Sequence, residues 1–162
     1  MKCRGYLDIE TTGLSASSAD LTVIGLLLDK GDETEFIQLV GADISKAKLE
    51  KLIKRIDIIY TYNGARFDLP FIEVKLNMDF KKYCQHTDLM YHCWENNLYG
   101  GLKCVERTLG IKRNLTDVDG YVAIQLWYKY IKHGDKNSLQ TLLDYNKEDV
   151  FNLKVLRKKL GV

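Results

Sequence analysis

The chain has 162 residues, 46% hydrophobic and 28% charged, with 24 Lys and Arg against 22 Asp and Glu for a formal charge of +2. That composition excludes a disordered, collagen-like or disulfide-scaffold class, and the near balance of charge names neither nucleic acid nor membrane as a partner. No apolar run nears the ~18 residues of a membrane span, and Lys2, Arg4, Asp8 and Glu10 interrupt any signal-like start, so the expectation is one cytoplasmic domain over residues 1–162 without membrane association.

Residues 3–9 read as a short strand with Leu7 and Ile9 on one face. A small-residue polar loop follows, then the apolar strand LTVIGLLLD, a turn at Asp29–Asp32, and a returning strand over Thr34–Val40. A Lys-rich helix begins near Ser45, with Leu49, Leu52 and Ile53 at helical spacing. Ile56–Thr61 is a buried strand, Asn63-Gly64 a turn, and Asp68 to about Leu76 a helix whose first turn accommodates Pro70. Tyr83–Thr87 reads as a fifth strand and Asp88 as the start of another helix. Further helices follow over Gly101–Leu109, about Tyr121–Lys132 and about Asn137–Leu160. This order predicts an α/β fold with a mixed five-stranded sheet: a three-stranded antiparallel meander plus two parallel strands, with helices on both faces.

Cys3, Cys84, Cys93 and Cys104 form no CxxC pair and read as reduced thiols. Cys84, His86, His92 and Cys93 offer soft ligands, but their spacing matches no paired zinc pattern; a strand followed by a helix is the plainer reading.

Carboxylates stand where a core is expected. Asp8 and Glu10, two apart on a strand, leave the same face with backbones about 6.5–7 Å apart. At ~5 Å between carboxylates their repulsion is on the order of 3 kcal/mol, which calls for a cation between them. The alternative is two solvated charges at a strand end. In the last helix, Leu142, Leu153, Leu156 and Leu160 mark an apolar stripe, and Tyr145 and Asp149 fall on it four residues apart. A carboxylate there is costly unless paired or metal-bound, or unless the position is an edge reached by water, Lys147 or Arg157. Asn146–Asp149 also resembles a capping box, which would break the helix. Asp68 reads as the cap of the helix holding Pro70, and Asp88 as a cap alone.

Together these segments resemble the DEDD superfamily of 3′–5′ exonucleases, which has an RNase H-like fold. Asp8-Ile9-Glu10-Thr11-Thr12-Gly13-Leu14 looks like its first motif, and Asn63-Gly64-Ala65-Arg66-Phe67-Asp68 like its second. Tyr145-Asn146-Lys147-Glu148-Asp149 looks like the third in its Tyr-x-x-x-Asp form, the DEDDy branch. Gly101-Leu102-Lys103, Val105–Gly110, Leu126-Trp127-Tyr128, Tyr145-Asn146 and Glu148-Asp149-Val150 are similar to the YprB-type RNase H-like domain, a likeness over nearly the whole chain.

The resemblance implies that Asp8, Glu10, Asp68 and Asp149 hold two Mg²⁺ or Mn²⁺ ions, suited to hard oxygen donors. By similarity, one ion activates a water near Tyr145 while the other steadies the leaving 3′ oxygen, releasing nucleoside 5′-monophosphates from single-stranded DNA or RNA 3′ ends. With an ordinary pKa near 10, Tyr145 is a poor base and would orient the nucleophile. Thr11, Leu14, Asn63 and Phe67 are the candidate substrate contacts; for Asn63 and Phe67 a turn Asn and a core Phe are equal alternatives. Lys103, Arg107, Lys112 and Arg113 form the best basic edge, against a merely solvated helix face. Two rivals share the fold: a nucleic-acid-binding module without turnover, and an endonuclease of the RNase H kind. No protein partner is indicated.

Overall fold

A computed structural model describes residues 2–162. Among these residues, strands β1 (Arg4–Thr11), β2 (Leu21–Asp29), β3 (Thr34–Val40), β4 (Ile58–Thr61) and β5 (Gln85–Asp88) form one sheet in the order β3-β2-β1-β4-β5. β1 to β3 pair antiparallel, and β4 and β5 join parallel beside β1, as the expected mixed α/β sheet. The helices are α1 (Lys46–Ile53), α2 (Asp68–Leu76), α3 (Leu89–Glu95), α4 (Leu102–Leu109), α5 (Gly120–His133) and α6 (Lys136–Leu160). None of the described helices is long and apolar enough to cross a membrane.

Strand alternation divides the core in two. Leu7 and Ile9 face one side of β1 and join Ile24, Leu26, Ile53, Phe71 and Ile72, so α1 and α2 cover that face. Tyr6 faces the other side with Leu27, Leu89, Val105, Val150, Leu153 and Leu156, beneath α3, α4 and α6. At eight residues α1 is too short to stand alone, and its buried Leu49 and Ile53, at about 1.5–3 kcal/mol each, hold it on the sheet.

α6 lies close on the sheet at Gly25 of β2, which pairs with Asp8 in the register. A Cβ there would stand 2.2 Å from Asn146 Oδ1 and 2.9 Å from Val150 Cγ2 of α6, so only glycine lets the helix lie at this depth.

Two expectations are corrected. The fifth strand begins at Gln85 rather than Tyr83, because Tyr83 and Cys84 donate their N–H groups to the Phe80 carbonyl in a local turn. The capping box over Asn146–Asp149 does not break α6. Asn146 instead donates to Asp8 and Asp149 accepts from Arg113, so neither side chain is left to cap the helix.

Candidate active site

The face of β1 opposite Leu7 and Ile9 carries Asp8 and Glu10 beneath α6, which supplies Tyr145, Asn146 and Asp149. Asp8, Glu10 and Asp149 each bring a carboxylate oxygen to within 4.8 Å of the others, with Glu10 and Asp149 buried. Asn146 fixes the strand–helix registry: its Nδ2 donates to Asp8 Oδ2 (2.9 Å) and to the Asp8 carbonyl (3.2 Å), while its Oδ1 accepts from Gln38 Nε2 (2.9 Å). Asp68 stands outside the three-carboxylate group but lines the same cavity, of about 520 Å³, with Asp8, Glu10, Tyr145 and Asp149. Thr11, Leu14, Asn63 and Phe67 line it too, so the five expected catalytic residues and the four expected substrate contacts reach one concavity.

The local details differ from the expected ones. Asp68 does not cap α2; Phe67 precedes that helix without a side-chain cap, and Asp68 Oδ1 accepts from the Ile9 N–H at 3.2 Å, tying α2 to β1. Asp88 caps α3 through the Met90 N–H (3.1 Å) but does more. It also accepts from the N–H groups of Asn63 (2.8 Å) and Ala65 (3.0 Å), pinning the turn that leads into Asp68. Asn63 holds a left-handed conformation there (φ 60°), which its short polar side chain tolerates. Thr11 Oγ1 donates to the Gly13 carbonyl (2.7 Å), whereas Leu14 is 88% exposed at the cavity rim.

A cation stands against Asp149, from a position the sequence placed on the surface, and among the described residues none is hydrogen-bonded to Asp8 or Glu10. The Arg113 side chain is buried; its Nη2 donates to Asp149 Oδ1, and its Nε and Nη2 donate to Glu106 at 2.6 and 2.8 Å. Lys103 Nζ donates to the Val118 carbonyl and lies 5.0 Å over the Tyr145 ring. The expected basic edge is therefore divided: Arg107 and Lys112 are exposed, while Lys103 and Arg113 turn inward. The soft-ligand cluster does not assemble among the described residues; His86 Nε2 pairs with Thr61 Oγ1 (2.8 Å) and His92 with Glu95 (3.2 Å).

Burial, followed by the neighbouring carboxylates, pushes Asp8 and Glu10 well above the ordinary carboxylate range. Burial likewise raises Asp68 to about 7, against two accepted backbone hydrogen bonds, and Asp149 to about 6, against the Arg113 guanidinium. The Tyr145 hydroxyl is pushed far up by burial and by Asp149, Glu10 and Asp8. Buried oxygen donors this reluctant to ionise together, only one of which has a guanidinium against it, fit a divalent hard cation. The pKa shifts also set a stability profile. Between the unfolded value of about 4 and the raised values of about 6 and 7, the folded protein holds more protons than the unfolded chain, so stability falls as pH rises through that window. Thermal melts in EDTA should show the metal-free protein less stable at pH 8 than at pH 5.5. Added Mn²⁺ should raise the melting temperature more at pH 8, where the ligands are ionised.

A sequence model of the RNase H superfamily matches residues 5–161, and the chain belongs to that superfamily. It is 28% identical over 163 residues to the uncharacterized protein YprB of Bacillus subtilis, covering 91% of this chain; the chain spans 39% of that protein's length. The fold is similar to that of the family B DNA polymerase of the archaeon Pyrobaculum calidifontis (TM-score 0.76, 16% identity), covering 99% of this chain and 24% of that one. It is similar also to a zinc-bound form of the E. coli ExoI–ssDNA complex (TM-score 0.53, 16% identity), covering 90% of this chain and 42% of that one.

Proposed function

We propose that this chain is a metal-dependent 3′–5′ exonuclease of the DEDDy type, residues 1–162 forming one catalytic domain. It would shorten single-stranded DNA or RNA from the 3′ end and release nucleoside 5′-monophosphates. The observation that carries this reading is the meeting of Asp8, Glu10 and Asp149 within 4.8 Å, with Tyr145 on the wall of the same cavity. The likeness to an exonuclease complexed with single-stranded DNA supports it.

Asp8, Glu10, Asp68 and Asp149 would hold two Mg²⁺ or Mn²⁺ ions, which supply nucleophile activation and leaving-oxygen stabilisation in an in-line displacement. Tyr145 keeps its proton, because burial and then the surrounding carboxylates oppose its ionisation, and so serves as a hydrogen-bond donor that orients the attacking water. Leu14, exposed and apolar at the rim, packs on the terminal base, and Phe67 supports the nucleotide from the opposite loop. Asn63 and the Thr11 backbone provide polar contacts to the sugar and phosphate.

A 5′-labelled oligonucleotide incubated with Mn²⁺ should give a ladder shortening from the 3′ end that EDTA abolishes. Matched DNA and RNA would settle the substrate. Tight binding without shortening identifies a binding module instead, and cutting of a circular or 3′-blocked substrate identifies an endonuclease.

A further inference from the structure

We infer that Glu106 and Arg113 form a fixed clamp that positions Asp149 for metal binding, a role resting on the reading of the acidic cluster as a metal site. Arg113 is here a positioning residue, acting through Asp149. The three groups come from separate segments: Glu106 from α4, Arg113 from the connection to α5, and Asp149 from α6. The Glu106 and Arg113 side chains are 1% and 6% exposed. Two parallel hydrogen bonds set the plane of the guanidinium against Glu106, whose Oε1 also accepts from Asn152 Nδ2 at 3.0 Å. Asn152 also reaches the Lys112 carbonyl (3.3 Å), and Glu148 accepts from the N–H groups of Asn114 (2.6 Å) and Leu115 (3.0 Å). The segment bearing Arg113 is thus stapled to α6 on both sides of the arginine.

Glu106 takes two of the guanidinium's five N–H donors, and Nη1 is buried without a hydrogen-bond partner. The third link runs from Nη2 to Asp149 Oδ1, one of the three carboxylates that converge. Asp149 Oδ2 accepts no hydrogen bond among the described residues and is left for an ion. Held by Glu106 and enclosed, the guanidinium cannot swing away when a cation arrives. It keeps the carboxylate aimed, as outer partners of metal ligands do, where their loss typically costs 10–100-fold in metal affinity or activity. This is also the use found for the Lys103–Gly110 stretch, whose Glu106 the nuclease chemistry does not otherwise employ.

The test is isothermal titration of Mn²⁺ alone, without nucleic acid, into the wild type, Glu106→Asp and Arg113→Lys. The shorter acid keeps the charge but draws the guanidinium back by about 1.5 Å, and Mn²⁺ should bind about 10-fold more weakly. Arg113→Lys keeps the charge but loses the fork and should fall at least as far. With a labelled oligonucleotide, kcat should drop in both variants while KM for the nucleic acid stays within about twofold, a split that a merely structural role would not produce. Should Arg113→Lys fail to fold by near-ultraviolet circular dichroism, Glu106→Asp decides. Wild-type Mn²⁺ affinity in folded variants overturns the clamp and leaves the nuclease reading standing. No Mn²⁺ binding by the wild type overturns both.

Discussion

Replacing Glu10 by Gln should lower hydrolysis of a labelled oligonucleotide by at least about 10³-fold, on the order of 4 kcal/mol of transition-state stabilisation. The same change should raise the melting temperature of the metal-free protein at pH 8. The two effects have one cause. Glu10 is buried, and its carboxylate stands within 4.8 Å of those of Asp8 and Asp149. At that spacing each ionised pair repels by about 3 kcal/mol at an effective dielectric near 20. Asn146 donates to Asp8 and Arg113 to Asp149, whereas Lys103 gives Glu10 only longer-range relief. Glutamine removes the least compensated charge and can donate to its neighbours, so the empty protein relaxes. It also removes a ligand, so the rise in melting temperature on adding Mn²⁺ should largely vanish. A variant that turns over at the wild-type rate, or that melts lower than wild type in EDTA at pH 8, would falsify the assignment of Glu10.

Gly25→Ala should destabilise the fold. The added methyl would lie 2.2 Å from Asn146 Oδ1 and 2.9 Å from both Asn146 Cγ and Val150 Cγ2. Neither neighbour can yield easily. Asn146 is held by Gln38 and Asp8 at 2.9 Å each, and Val150 is wholly buried on the continuous α6. Overpacking of this kind costs about 1–3 kcal/mol, and for a domain of this size about 2–4 °C in melting temperature per kcal/mol. A fall of about 2–12 °C is therefore expected, measured by circular dichroism. Activity should fall as well, since α6 carries Tyr145 and Asp149 toward β1. An alanine variant with unchanged melting temperature and turnover would mean that α6 does not need its present depth over Asp8.

Much of this architecture was legible in the sequence. The runs LTVIGLLLD and Thr34–Val40 map residue for residue onto β2 and β3, two short segments rich in β-branched and other apolar residues, set apart by the turn at Asp29–Asp32. Asp68–Leu76 is likewise the helix that Pro70 in a first turn announced. Asp8, Glu10 and Asp149 were conspicuous as charges on faces that should be apolar, and the structure brings them together. Less legible was anything set by a partner far along the chain. Arg113 reads as one more surface cation until Glu106 and Asp149 enclose it. Asp88 reads as a helix cap until the Asn63 turn is laid across its second oxygen. Asn146 looks like a helix breaker until Asp8 and Gln38 engage its amide.

By itself, then, the sequence determined which segments are strand or helix, which faces are apolar, and which hard oxygen donors interrupt them. These are properties of neighbours along the chain, governed by periodicity and by the chemistry of each side chain. Only the tertiary structure decided which cation stands against which carboxylate, how deeply α6 lies on the sheet, and that Asp68 reaches back to Ile9 instead of capping its own helix. Those outcomes depend on groups between 36 and 138 residues apart meeting within hydrogen-bonding distance. Burial then changes what each group costs, and no local pattern encodes that burial.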